Sequence, residues 1–267
     1  MATPNAPART RHSWLRVLFP PGYSFLTWQA LVLFVALWEL AAWASPSWPS
    51  LLRVVLPVLW NDFRDPAFCQ ALAGSGRRMV IGYSLVTLIG ISGGMLLGRV
   101  RFVDQLLGSF AVAIHAIPGA AWVPLSIIWF GMTERAVIFT VLLGATGIVM
   151  VETDTGIREV PPLILRAART MGARGLKRFL FVEAPAAIPK IVSGLRLAWA
   201  FGWRALMAGE LLTSVSGLGQ RLNQVAKAQQ LDQLLALMLL IAVIGILVDG
   251  LIFKRLEYEV RIRWGLA

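Results

Sequence analysis

The feature that most constrains this chain is the run "MVIGYSLVTLIGISGGMLLG" (Met79–Gly98), which carries no charged side chain. A helix of about 20 apolar residues is what a hydrocarbon layer of ~30 Å requires of a segment that crosses it. Five further blocks have the same character: Phe25–Ala44, Leu106–Gly131, Ala136–Val151, Ile188–Leu212 and Leu234–Phe253. Lipid offers no hydrogen bonds, so each block must satisfy its backbone internally, and the helix does this within one segment. The expectation is an all-α, polytopic membrane protein with about six transmembrane helices. Composition excludes the aqueous alternative. Only 15% of residues are charged and 57% are hydrophobic, whereas soluble domains carry about 25% charge.

The interruptions organise the rest. The third block is broken by Pro118 and Pro124, and the fourth is short, closed by Glu152 and Asp154. Residues 1–24 are polar, Pro-rich and basic and read as a tail. The first block ends in "AWA", a small-x-small pattern, but its length, Glu39, Trp28, Trp38 and Trp43 favour an uncleaved span. Residues 45–76, with Pro46, Pro49, Pro57 and Pro66, read as an external connector, and residues 258–267 as a second tail. The net charge of +11 does not point to nucleic acid, because the basic residues flank apolar blocks. With the N-terminus in the cytoplasm, inner loops carry roughly twice the Lys and Arg of outer loops, which places both termini inside. Arg77 and Arg78 fall outside, against that trend. Cys69 is the single cysteine, a free thiol with no intrachain partner. His115 and His12 are the only histidines and lie far apart in the chain, so no metal site is expected.

The longest inner connection, Thr153 to Ala187, alternates apolar and basic residues at helical spacing. It predicts two short amphipathic helices joined at Gly172 and Gly175, the second stopped by Pro185. Leu163, Leu165, Ala167, Ala168 and Met171 form its apolar side; Arg166, Arg169, Arg174, Lys177 and Arg178 form its rim. Such a feature rests on anionic lipid or docks into a partner.

Charges inside the fifth block are costly. Arginine at mid-bilayer costs about 2.5–3.5 kcal/mol on insertion scales, so Arg196, Arg204 and Glu210 should face protein or a wet cavity. Their spacing puts all three in one polar sector of the helix. Two readings stay open for Arg204: it lines a pathway and attracts an anion, or it pairs with Glu39, Asp249 or Glu210. Pro118 frees a backbone carbonyl, tolerable where a helix borders a cavity. His115, Trp122 and Trp129 either line a gate beside it or, for the tryptophans, belong to an interfacial belt. Gly82, Gly90, Gly94 and Gly98 form a smooth stripe on the second helix, and Gly194 and Gly202 on the fifth, as close helix packing in lipid requires.

The inner connection also resembles the permease subunits of ATP-binding-cassette importers. Their loop reads Glu-Ala-Ala, three residues, Gly, nine residues, Ile-x-Leu-Pro. Here Arg166, Ala167, Ala168 and Gly172 are followed, after Ala173–Phe181, by Val182, Glu183, Ala184 and Pro185. Spacing agrees throughout; Arg166, Val182 and Ala184 depart in identity. "IPGAAWVPLSIIWFG", "GIREV", "AARTMGA", "PAAIPKIVSGLRLAWAFGWRALMAGELL", "GLG" and "LEYEVRIRW" follow in the order found in the nitrate/sulfonate/taurine/bicarbonate class. The resemblance covers roughly Arg77 to Trp264. It implies a type I importer transmembrane domain over 77–257, with an ATPase-coupling loop at 153–187 bearing Arg166, Ala167, Ala168, Arg169, Gly172, Arg174, Lys177, Arg178 and Pro185. Implied partners are a second permease subunit (a homodimer is favoured), ATPase subunits holding ATP and Mg, a periplasmic or lipid-anchored solute-binding protein, and the lipids of the inner membrane. The chain has no phosphate-cradling Gly-x-x-x-x-Gly-Lys-Ser/Thr loop, so it should not hydrolyse ATP or act as an enzyme. A membrane-embedded enzyme would need a nucleophile–base pair or ligand cluster at membrane depth. A secondary transporter would need a second broken helix.

Overall fold

A computed structural model describes residues 23–45 and 48–264, with side chains from Gln29 onward. The N-terminal tail with His12, Pro46 and the last residues of the C-terminal tail lie outside the described residues. The chain forms two compact units, Met1–Leu51 and Leu52–Ala267.

In the first unit, α1 (Tyr23–Ala44) coincides with the first apolar block. Its one acid, Glu39, accepts hydrogen bonds from the Ser50 hydroxyl on both carboxylate oxygens, at 3.0 and 2.8 Å. The Trp38 indole donates to the Pro49 carbonyl at 3.0 Å, which folds the chain after the helix back along it.

The second unit opens with α2 (Leu56–Asp62) and α3 (Pro66–Arg99). Here the connector expectation is corrected, because α3 starts well before its apolar run and carries Arg77 and Arg78 inside it. Asp65 sets that start: its carboxylate caps the Ala67 N–H at 2.9 Å, and Pro66 occupies the first turn, where no donor is needed. The Arg221 guanidinium, 2.9 Å away, and this capped amide hold the Asp65 carboxyl below its ordinary range.

Next come α4 (Arg101–Ala116) and α5 (Gly119–Phe130), bent 103° at Ile117–Pro118. Proline pushes the preceding residue out of the helical region, and Ile117 is indeed extended (φ −79°, ψ 124°). Pro124 breaks nothing, since it lies in the first turn of a helical segment. α6 (Glu134–Arg158) continues past the expected stop at Glu152 and Asp154. Both acids are partnered, Glu152 by Lys190 at 3.5 Å and Asp154 by Arg158 at 2.6 Å. α7 (Pro162–Thr170) is followed by a short helical piece, Gly175–Arg178, a π-helical turn, Phe179–Glu183, and α8 (Ala184–Leu212). Pro185 therefore begins a helix rather than ending one. A π-turn leaves the ladder out of register, and a residue without an N–H fits there. α9 (Leu218–Lys227) is short and amphipathic; α10 (Leu231–Arg263) has a π-turn at Asp249–Phe253.

Glycine contacts fix the topology. A Cβ on Gly82, Gly90, Gly94 or Gly98 would strike Val141, Val149, Thr153 or Ile157, respectively. The offset between partners is constant, so α3 and α6 run parallel and α4–α5 carries the chain back between them. The α6–α8 contacts run in the opposite sense: Gly156 meets Lys190 and Ala187, Gly194 meets Glu152, and Gly209 meets Val137. α8 and α10 are also antiparallel, joined through Trp203 to the Ile241 carbonyl at 3.2 Å and Arg196 to Asp249. One end of the unit thus gathers the end of α3, the start of α4, the α6–α8 connection and the end of α10.

Among the described residues, α3, α6 and α10 are each long and apolar enough to cross a membrane, and the bent α4–α5 pair makes a fourth if it counts as one span. α8 is 29 residues long but interrupted by Lys190, Arg196, Arg204 and Glu210. The core between them is built from Val86, Val137, Val141, Ala145, Val149, Ala198 and Leu206, all buried.

Gly94→Leu should lower the thermal midpoint of the detergent-solubilised protein. Its Cβ would lie 2.5 Å from the Thr153 Cβ and 2.6 Å from the Met150 carbonyl oxygen, and overpacking of this kind costs about 1–3 kcal/mol. Gly76→Ala, which meets nothing within 4 Å, should leave it unchanged or raise it.

Candidate functional site

Two places concentrate groups that a packed membrane helix would not otherwise display. The first is the α6–α8 connection. α7 ends in a Schellman motif: Ala173 N–H bonds the Ala168 carbonyl at 2.9 Å and Gly172 N–H the Arg169 carbonyl at 3.0 Å. Gly172 adopts φ +83° and Gly175 φ +56°, with open space around both. Glycine is required here by the left-handed backbone, not by crowding. The Ala-Ala-x-x-x-Gly spacing is thus a helix terminator followed by a second start.

The apolar side expected on this segment is mostly outward. Ala168 is buried, but Leu163 (76% exposed), Met171 (80%) and Phe181 (74%) are not, nor are Ala167, Ile164, Leu176 and Leu180. Arg166, Arg169, Arg174 and Lys177 are exposed beside them. Arg178 departs from the rim: it is half-buried and paired with Glu183 at 2.6 Å across the π-turn. Phe179 anchors that turn against Ile157, Ala187 and Ile191, with the Arg99 guanidinium 5.1 Å over its ring. The segment is firmly rooted and presents unsatisfied apolar surface framed by positive charge.

The second place is a cleft of about 340 Å³ at the α4–α5 break, lined by His115, Ile117, Pro118, Phe201 and Arg204 among others. Close backbone approach builds it. A Cβ on Gly119 or Gly144 would lie 3.0 Å from the Ala205 Cβ, and one on Gly147 2.9 Å from the His115 amide nitrogen. Arg204 donates from Nε to the Ala200 carbonyl at 3.0 Å and lies 4.5 Å over the Phe201 ring. It is exposed, and no described carboxylate pairs with it.

The structure brings His115, Pro118 and Arg204 together and removes two other candidates. Trp122 is half-buried outside the cleft lining, its indole N–H without a partner. Glu210 is fully buried on the other side of α8, its Oε1 3.1 Å from the Arg78 guanidinium; its Oε2 accepts from Ser75 at 2.8 Å and from Gly219 N–H at 3.0 Å. It therefore neither lines the cleft nor neutralises Arg204. The shared polar sector was too coarse a guide, since Arg204 and Glu210 are about 120° apart, and Arg196 lies about 21 Å from Glu210 along the axis. Arg196 instead takes Asp249 at 2.6 Å and Glu257 at 2.9 Å.

The Arg78–Glu210 pair is what sequence reading missed. Arg78 also donates to the Ser216 carbonyl at 3.2 Å, and Leu218 N–H bonds Ser75 Oγ at 2.9 Å. A Cβ on Gly217 would collide with the Glu210 carboxylate. The "GLG" motif is therefore the backbone that wraps a buried carboxylate. The signal was Arg78 itself, a positive charge on the side where the charge bias opposes it. Among the described residues no cluster of His, Cys, Asp and Glu could hold a metal ion. Gly82, Gly90, Gly94, Gly98, Gly194 and Gly202 all sit at helix–helix contacts.

Residues 87–256 match the family described as the binding-protein-dependent transport system inner membrane component. The chain belongs to this family. A Methanocaldococcus jannaschii protein named as an ABC transporter permease is 33% identical, over 80% of this chain and 83% of its own length. The taurine transport system permease protein of Escherichia coli is 31% identical, over 71% of this chain and 69% of its own. A chain of the MetNI methionine ABC transporter in an inward-facing conformation superposes with a TM-score of 0.62 at 17% identity, over 73% of this chain and 96% of that one. That likeness carries the fold, the transmembrane domain of an ABC importer. The protein is accordingly a multi-pass membrane permease subunit, not an enzyme; ATP hydrolysis and solute capture belong to partner subunits.

Glu210→Ala should lower the thermal midpoint of the permease sharply. Breaking a buried pair by removing one partner costs about 3–5 kcal/mol. Replacing both Arg78 and Glu210 by leucine should recover a substantial part of that loss.

Proposed function

We infer that this subunit forms the pathway for a small oxyanion such as taurine, another sulfonate, nitrate or bicarbonate. An external binding protein delivers the solute, and ATPase subunits drive the cycle from the cytoplasm. The observation that carries this is Arg204. It stands about 12 Å from the outer end of α8, exposed, with no carboxylate among the described residues paired to it, beside a broken helix. An unpaired guanidinium at that depth is tolerable only next to water or an anion. Its planar donors match an oxyanion, and the surrounding low dielectric strengthens the attraction. Of the three carboxylates the competing ion-pair reading could use, Asp249 serves Arg196, Glu210 serves Arg78 and Glu39 accepts from Ser50.

The Pro162–Arg178 segment is the seat of the ATPase. Its exposed Leu163, Met171 and Leu176 fill a groove on that partner, while Arg166, Arg169, Arg174 and Lys177 engage its rim. Arg166 stands where relatives of the coupling motif carry Glu, so the matching ATPase should present an acidic group there. The basic end of the unit faces the cytoplasm, in keeping with the charge bias, and the pathway closes between two copies of this chain in the inner membrane.

Arg204→Ala should reduce uptake of labelled anion in reconstituted vesicles by roughly tenfold or more, the scale of one charge-assisted contact, at unchanged protein level. Unaltered uptake would remove the anion pathway from this cleft. Gly172→Trp should abolish binding-protein-stimulated ATP hydrolysis in an inserted permease; normal stimulation would overturn the coupling assignment.

A further inference from the structure

The start of α4 is held in an unusual way. Of Arg101–Ala116, Ala111 alone is buried. At the far end Gly147 seats it, since a Cβ there would lie 3.0 Å from both the Ala111 carbonyl oxygen and the His115 Cβ. Toward its start, a cavity of about 480 Å³ lined by Asp104, Gln105, Ser109, Val151 and Asp154 opens beside it. Apolar packing, which elsewhere joins neighbouring helices, is thin here.

One side chain spans this end of the bundle. Arg158, in the last turn of α6, reaches Asp104 Oδ1 with Nη2 at 2.7 Å. Its Nε holds Asp154 at 2.6 Å, and Nη2 also donates to the Leu97 carbonyl in the final turns of α3 at 3.2 Å. Asp104 sits in a π-helical turn, Asp104–Gly108, a distortion that often marks a working site. Gly108 leaves room for it: a Cβ there would lie 2.8 Å from the Asp104 carboxylate. Two residues beyond Arg158, buried Val160 leads into α7.

We propose that Arg158 is a positioning residue that transmits displacement of the Pro162–Arg178 segment to the pathway helix, its ion pair with Asp104 pulling α4 about its seat on Gly147. α6 ends where the segment begins, so a shift of α7 is felt first at Arg158. α4 can follow because a cavity lies behind it, and its other end carries His115 and the Pro118 break that border the Arg204 cleft. A single exposed ion pair is worth little as stability. As a tether it needs only to be the firmest contact on an otherwise loosely packed element. This rests on the reading of Pro162–Arg178 as the ATPase seat.

The test uses the assembled importer in inside-out vesicles, in a Cys69→Ser background, with a membrane-impermeant maleimide as probe. Ser109→Cys reports the cavity behind α4, and Met171→Cys reports the segment. With Arg158 intact, labelling of Ser109→Cys should differ several-fold between the nucleotide-free and ATP–vanadate states. Arg158→Gln and Asp104→Asn should each erase that difference, whereas Arg158→Lys should retain most of it; a merely structural role would not sort the variants by charge. Equal labelling in both states with Arg158 intact, or an undiminished difference in Arg158→Gln, overturns the tether. Failure of the underlying reading looks different: Met171→Cys would then label equally with and without the ATPase.

Discussion

Charge in hydrocarbon must be matched or wetted, and this constraint arranges everything else in the second unit. α8 carries three charges along its C-terminal two-thirds, each resolved differently. Arg196 is bracketed by two carboxylates from α10. Glu210 is buried against Arg78 and sealed by a serine hydroxyl and a backbone amide. Arg204 alone has neither, keeping only a carbonyl and an aromatic face. Two matched charges lock α8 to its neighbours at separate levels, and the third, Arg204, stands exposed at the cleft beside the α4–α5 break.

The locks and the smooth surfaces divide the labour. Glycine on α3, α6 and α8 lets three helices approach until side chains touch backbone, which gives dispersion contacts and few polar demands. Such packing sets distance but resists sliding weakly. The ion pairs supply register, since a buried charge displaced from its partner loses far more than a methyl group that finds another neighbour. α3, α6 and α8 thereby form a rigid frame. α4, with one buried residue and a cavity at its side, belongs to the bundle without being part of the frame.

Much of this was legible in the residues. Spans announce themselves by length and apolarity, and the Pro118 break by the restriction proline places on its predecessor. The glycine stripes followed from spacing alone. Boundaries were harder, because Glu152, Asp154 and Arg78 look like span ends when read singly and are compatible with helix only once Lys190, Arg158 and Glu210 are set against them. Lys190 and Glu210 lie on another helix, where nothing local to Glu152 or Arg78 names them, whereas Arg158 stands one turn beyond Asp154 on α6 itself. The same reason misplaced Glu210: angular position on one helix says which way a side chain points, not what occupies that direction. Pro185 failed differently. Its usual meaning as a helix end gave way to a π-turn, whose altered register no local propensity encodes.

The Pro162–Arg178 segment illustrates how a motif can be understood without its partner. The Ala-Ala-x-x-x-Gly spacing closes a helix with paired backbone hydrogen bonds, and the left-handed glycines turn the chain so that a second helix returns to the membrane. Arg178–Glu183 and Phe179 root that return in the frame, so the segment cannot swing independently of α8. At its other end it is continuous with α6 through Val160 and Arg158. A push on the exposed apolar face must therefore divide between the two helices that flank it. Of these, α8 is pinned twice along its length, while the end of α6 touches α4 through a charge. If the ATPase docks on this segment as proposed, motion entering there has its softest outlet toward the broken helix that borders Arg204.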